Sequence, residues 1–228
     1  MLKYLIVFLC MASPAAADCV ILLHGLARGS GTWMRMEPAL EQAGHIVINQ
    51  EYPSTDQPIE VLANTALPGA LSACPKGHTV HVVTHSMGGI ILRQYLSDKS
   101  IPDFGRAVML APPNHGSEIV DTLGDLAAFG WINGPAGRQL GTGDDSIPNQ
   151  LGRANFPVGI IAGTVSMNPV FSKTIPGVDD GKVSVASTHL DGMADHIEVA
   201  ASHTFISFHD DVIDHVTAFL ETGAFARR

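Results

Sequence analysis

The stretch that most constrains this chain runs from Thr79 to Tyr95. Thr79, Val80, Val82, Val83 and Thr84 suit a pleated, buried strand. Ile90, Ile91, Leu92 and Tyr95 follow with the spacing of an apolar helix face. Between them, only Gly88 and Gly89 have the small size and backbone freedom that an abrupt strand-to-helix reversal demands. Such a turn holds Ser86 Oγ clear of the sheet edge, with the N-terminus of the new helix behind it. The free N–H groups and partial positive charge of that helix end favour an anion forming beside the serine.

The same alternation continues on both sides. Cys19 to Leu23 is a near-continuous apolar run, the pattern of a strand covered on both faces, and it ends at His24-Gly25-Leu26. Thr32 to Ala43 has helical periodicity through Trp33, Met36, Leu40 and Ala43, with Gly44 as its stop. Ile46 to Ile48, Arg106 to Leu110, Val158 to Ala162 and His196 to Val199 read as further strands, and Ile59 to Ser72 as a helix. A last helix carries Val212, Ile213, Val216, Phe219 and Leu220 on its buried side, with Asp210 or Asp211 to cap it. Strands alternating with helices predict a mostly parallel sheet, helices on both faces and right-handed crossovers. About residues 118–156, glycines at 130, 134, 137, 141 and 143 interrupt any long helix in an otherwise apolar segment. That segment reads as an insertion, either a mobile cover or an excursion packed on the sheet.

The length of 228 residues points to one domain with a sizeable core. A formal net charge of -9 argues against nucleic acid or an anionic membrane surface as partner. Lys3, the apolar run Tyr4 to Ala12 and the pattern Ala15-Ala16-Ala17 before Asp18 read as a secretory signal peptide over residues 1–17, with 18–228 as the mature domain. The protein is then periplasmic or secreted, with no stable membrane span after cleavage. Cys10 lies inside the apolar run and lacks the surroundings of a lipid attachment site. Cys19 and Cys74 remain, and an oxidising compartment permits a disulfide between them; two buried thiols are the alternative. The eleven histidines are scattered, and none forms a metal-binding motif, so no metal and no cofactor is expected.

At Thr84-His85-Ser86-Met87-Gly88 the chain resembles the α/β-hydrolase family, and within it the bacterial lipases and esterases, whose nucleophile elbow reads G-x-S-x-G. Thr84 departs from the first glycine of that pattern, which implies a slightly wider gap at the helix. The resemblance implies an α/β-hydrolase fold with a small cap or lid insertion at about 118–156. In such relatives an H-G dipeptide after the first parallel strand leads to an oxyanion-hole residue, which makes the backbone N–H groups of Leu26 and Met87 the two donors. The motif D-G-x-V appears as Asp180-Gly181-Lys182-Val183 and implies Asp180 as the acid, with Asp179 as its neighbouring rival. A histidine after the last strand is the family's base, here His203; His196 is the competitor. The order Ser86, Asp180, His203 is the family's order. His24, His85 and His115 are candidates to line the pocket, although His24 also suits a loop brace. His115 and Ser117, in the H-G-S after Pro112-Pro113, suit a helix cap equally well.

These residues imply acyl transfer through an acyl-enzyme, with a small-molecule ester or lipid as substrate. Met34, Met36, Met87 and the apolar insertion favour a hydrophobic acyl chain. A periplasmic acyltransferase or a thioesterase on the same residues is the alternative, and a non-catalytic binding protein on the same scaffold is a third. Oligomeric state is not encoded in these patterns.

Overall fold

The computed structural model describes residues 17–227. The leader-like segment therefore lies outside the described residues except for Ala17, and Cys10 lies outside with it. Six parallel strands form one sheet in the order β2-β1-β3-β4-β5-β6: β1 Cys19–Leu23, β2 Ile46–Gln50, β3 Val80–His85, β4 Phe104–Leu110, β5 Val158–Gly163 and β6 Asp195–Val199. The order reverses direction at β1, which pairs with β2 on one side and with β3 on the other. A crevice opens at such a switch point, outside the carboxyl ends of the strands. Here it separates the loops that follow Leu23 and His85, whose strands run in register from Cys19 beside Val80 to Leu23 beside Thr84.

Period-two alternation sends the strand side chains to two cores. Cys19, Ile21 and Leu23 of β1, with Ala107 and Met109 of β4, pack under α2 (Ile59–Ala73) and α3 (Met87–Leu96). Val20, Leu22, Val108 and Leu110 face the opposite way, against α1 (Met36–Gln42) and α8 (Asp210–Thr222). α8 brings Val212, Ile213, Val216, Phe219 and Leu220 to that core.

Two local readings are corrected. The periodic segment from Thr32 to Ala43 does not form one helix: Ser30–Trp33 is a short 3-10 turn, and α1 begins only at Met36. A continuous helix from Thr32 would set the Pro38 ring against the carbonyl of Met34, whereas a start at Met36 leaves Pro38 in the tolerated first turn. Neither Asp210 nor Asp211 caps α8. His209 occupies the cap position, both aspartates lie in the first turn, and Asp210 pairs with Arg35 at 2.6 Å.

The segment after β4 forms α4 (Glu118–Leu123), α5 (Ala127–Arg138) and α6 (Ile147–Gln150). α5 kinks at Gly134, where φ is 63° and an added Cβ would lie 1.6 Å from the Thr55 carbonyl oxygen. Only glycine fits that approach. Arg93, on the buried side of α3, ties this segment to the sheet: its guanidinium donates to the carbonyls of Asn114 at 3.1 Å, Pro148 at 2.9 Å and Gly152 at 2.7 Å. A short helix α7 (Val185–Thr188) precedes β6, and its cap, Ser184 Oγ, accepts from the Ser187 amide. Cys19 and Cys74 are joined by a disulfide with a Cα–Cα distance of 5.9 Å, at the amino-terminal edge of the sheet. Among the described residues, no helix is long and apolar enough to cross a membrane.

Candidate active site

Ser86 occupies the turn between β3 and α3 with φ 53° and ψ -125°. A non-glycine residue rarely adopts such a backbone, at a cost of about 1–3 kcal/mol. Neighbours hold it there: the Ser86 amide donates to the Leu110 carbonyl of β4 at 2.8 Å, and its own carbonyl accepts from Gly89 at 2.9 Å. A Cβ on Gly88 would stand 2.5 Å from the Leu23 carbonyl oxygen, so the first turn of α3 presses on the end of β1. The departure at Thr84 is absorbed one turn further on. A Cβ on Gly89 would meet Thr84 Oγ1 at 3.3 Å, and the missing side chain leaves room for the threonine. Gly25 brings the β1 loop equally close, since its Cβ would lie 3.0 Å from that of Ser86. The amide of Leu26 follows from that loop, and Met87 is the first residue of α3. First-turn amides have no acceptor within their own helix.

His203 reaches Ser86 from the loop after β6. Its Nε2 lies 3.0 Å from Ser86 Oγ, and its Nδ1 lies 2.8 Å from Asp180 Oδ2. The Asp180 carboxylate is aimed by its own turn, because Oδ1 accepts from the amides of Lys182 at 3.0 Å and Val183 at 2.8 Å. Gly181, with φ 96°, permits that turn. Asp179 turns the other way: its Oδ1 accepts from the Gly181 amide at 2.7 Å and from Ser172 Oγ at 2.8 Å. The structure thus brings Ser86, His203 and Asp180 together and leaves Asp179 in a loop brace. His196 is remote from them, stacked on His189 at 4.0 Å and bonded through Nε2 to Thr188 Oγ1 at 2.9 Å.

The three candidate pocket histidines separate. His85 lines the cavity, fully inside, and its Nε2–H donates to the His203 carbonyl at 2.9 Å. Burial, followed by the neighbouring His203 ring, pushes its pKa well below the ordinary histidine value, so it stays neutral. The His203 main chain is therefore gripped at both ends, since its amide also donates to the Asp180 carbonyl at 2.9 Å. His24 is not a lining residue. It lies behind the β1 loop, stacked on Tyr52 at 4.0 Å, with Nδ1–H donating to the Gly25 carbonyl at 3.0 Å. His115 also points elsewhere, to Asn149 Oδ1 at 3.0 Å on the surface, because Gly116 (φ 87°) turns the chain before Ser117. Ser117 does line the cavity, and at the α4 cap position its hydroxyl donates to the Lys182 carbonyl at 2.7 Å and accepts no amide of its own helix.

A cavity of about 450 Å³ opens at Ser86 and His203. Leu26, Ile119, Val120, Leu123, Phe129 and Leu140 give it an apolar wall, while Arg28 and Lys182 give it a basic one. Crowding by its neighbours, then repulsion from Arg28, lowers the Lys182 pKa, with Asp180 opposing, although the residue remains exposed to water. Neither cation stood out in the sequence, although each lies inside a motif, two residues after Leu26 and two after Asp180. Among the described residues, no group of three or more His, Cys, Asp or Glu side chains is arranged to hold a metal ion.

Comparison with known proteins agrees with this architecture. A lipase of Bacillus licheniformis, BlEst2 in its mature form, matches over 94% of this chain and 95% of its own, with a TM-score of 0.65 and 18% identity. Phospholipase PlaB of Legionella pneumophila, in complex with thio-NAD, matches over 91% of this chain and 59% of its own, with a TM-score of 0.71 and 18% identity. Among curated sequences, norfluorocurarine synthase 1 of Strychnos is 29% identical over 44% of this chain, and the match spans only 43% of that relative. The model of the alpha/beta hydrolase family matches residues 20–217. With that match and this sheet, the chain belongs to the alpha/beta hydrolase family.

Proposed function

We propose that the protein is an exported serine hydrolase of carboxylic esters bearing an apolar acyl chain. One observation carries the reading: an unbroken hydrogen-bonded line from Ser86 Oγ through His203 to Asp180, at the floor of a largely apolar cavity. With His203 Nδ1–H donating to the Asp180 carboxylate, Nε2 carries the lone pair and accepts the Ser86 proton as Oγ attacks the carbonyl. Asp180 fixes that tautomer and stabilises the imidazolium. The Leu26 and Met87 amides receive the oxyanion, each contributing about 3 kcal/mol of transition-state stabilisation. His203 returns the proton to the leaving alcohol, and water releases the acyl group from Ser86 by the same route in reverse. No further chemical group is needed.

The apolar wall from α4 and α5 supports a cap role for the insertion, with the Gly134 kink as its bend. Export is supported by the leader-like first residues and by the Cys19–Cys74 disulfide, which persists in an oxidising compartment. The test is fluorophosphonate labelling of the mature protein, beside p-nitrophenyl esters of graded chain length with and without an alcohol acceptor. Labelling at Ser86 that vanishes in Ser86→Ala, with hydrolysis favouring medium or long chains, is the expected result. Preferential transfer to the acceptor in water would replace the hydrolase with an acyltransferase. A folded protein that takes no label at Ser86 would sink the enzyme reading and leave a binding protein.

A further inference from the structure

Two cations share the wall of this cavity. Arg28 comes from the loop after β1, and its guanidinium donates to Thr204 Oγ1 at 3.0 Å, on the residue next to His203. Lys182 comes from the turn that aims Asp180, its own amide bonded to the Asp180 carboxylate at 3.0 Å. Each is near enough to the other, and to His85, for repulsion to be felt. Among the described residues, no carboxylate forms an ion pair with either. The oxygens of Asp180 are committed to His203 and to two backbone amides. In a chain with 22 acidic and 13 basic residues, the only carboxylate acting on Lys182 is that of Asp180, whose oxygens are already bonded elsewhere.

Their position relative to the chemistry is specific. Both approach His203, one through Thr204 and the other through Asp180, in a cavity that the apolar residues of α4 and α5 also line. In acyl transfer the Ser86 Oγ–carbon bond forms and the carbon–alkoxy oxygen bond breaks. The proton taken from Ser86 passes through His203 Nε2 to that departing oxygen. The alcohol part of the substrate therefore leaves on the histidine side, beside the cations, and the acyl chain is left to the apolar side.

We propose that the ester taken by this site carries an oxyanionic group, phosphate or carboxylate, on its alcohol part, and that Arg28 and Lys182 hold it. A guanidinium with one N–H given to Thr204 and an ammonium exposed to water make a fork and a point charge that an oxyanion satisfies together. The inference rests on the ester-hydrolase reading of Ser86 and deepens it.

The test compares three octanoyl esters with one acyl chain: octanoylglycerol, octanoylglycerol phosphate and the octanoyl ester of glycerate, with fatty-acid release as the readout. The expected result is that kcat/KM for an anionic ester exceeds that for the neutral one by about tenfold or more at low ionic strength. That ratio should fall toward unity in Arg28→Gln and in Lys182→Gln, and stay high in Lys182→Arg. Raising salt to about 0.5 M should shrink it in the unmodified enzyme, which tests the idea even if a variant does not fold. Preference for both anions assigns a general oxyanion site, and preference for the phosphate alone narrows it; either outcome supports the proposal. Ser86-dependent hydrolysis with equal rates on all three esters, or faster on the neutral one, overturns this proposal and leaves the esterase reading standing. Absence of Ser86-dependent hydrolysis from all three, and from the p-nitrophenyl esters, overturns both.

Discussion

Around Ser86, the serine, histidine and aspartate are tied by hydrogen bonds to their neighbours, whereas across the cavity α4 and α5 offer apolar side chains, several of which face water. His203 is held at its amide, its carbonyl and Nδ1, and Asp180 accepts at both carboxylate oxygens. On α5 and its lead-in, Leu126 is 55% exposed, Ile132 59% and Trp131 89%. The difference fits what the proposed reaction asks of each region. Proton transfer needs atoms held to a fraction of an ångström, and the bonds here come from Leu110 of β4, from His85 at the end of β3 and from the turn that carries Asp180. An apolar chain is recognised by area without direction, so a helix with few polar ties suffices.

The sharpest way to break this comparison is at the acid. Asp180→Asn should lower kcat by about 10⁴-fold, because the His203 tautomer is no longer enforced. Asp179→Asn should lower it by less than about tenfold, with a loss of only about 1–2 kcal/mol of stability from its two bonds. Equal losses in steady-state kinetics would mean that the two aspartates are not divided as the geometry divides them. The opposite end of the sheet should behave differently. Replacing Cys19 and Cys74 together by serine opens a crosslink spanning 55 residues, and chain entropy puts the loss at about 4 kcal/mol. The denaturation midpoint should drop while activity per folded molecule is retained, since the bridge lies away from Ser86.

Arg93→Met sharpens the boundary between the two regions. It strands the carbonyls of Asn114, Pro148 and Gly152, at a cost of about 3 kcal/mol. Proteolysis should then reach the segment around α6 before the sheet unfolds. A smaller effect is expected with pH. Burial, followed by the adjacent His189, pulls the His196 pKa down to about 4, with Asp195 opposing. The unfolded chain, with a value near 6.5, binds more protons between those limits, so stability is complete above 6.5 and falls as the pH drops toward 4. His196→Gln should flatten that fall by about 1 kcal/mol, allowing for the ring's remaining contact with water. Urea midpoints at the two pH values measure it. Trp131→Ala should be the mildest, within about 0.5 kcal/mol in stability. A larger loss of stability in thermal melts would mean that α5 is a structural wall and not a loosely held cover.

Local pattern was enough for most of the architecture. β-branched runs between glycines give strands whichever way the chain packs, and Val80 to Thr84 followed by Gly88-Gly89 leaves few other turns open to Ser86. The histidines were harder. His24, His85, His115 and His196 look alike as letters, and what separates them is which neighbour the fold supplies: Tyr52, the His203 carbonyl, Asn149 or His189. Apolar spacing alone extends α1 one turn too far toward its start, because Pro38 bars a helix that would include the carbonyl four residues earlier.

The alternation of strand and helix, the serine turn and the order of the residues that could meet there are legible in the residue order, because these rest on backbone sterics and period. Which aspartate faces His203, how Thr84 is accommodated beside Gly89, and that Arg28 and Lys182 line one cavity emerge with the folded chain. Those are contacts between loops far apart in the chain, and distance in space between such loops is set by sheet order and register, which no local pattern encodes.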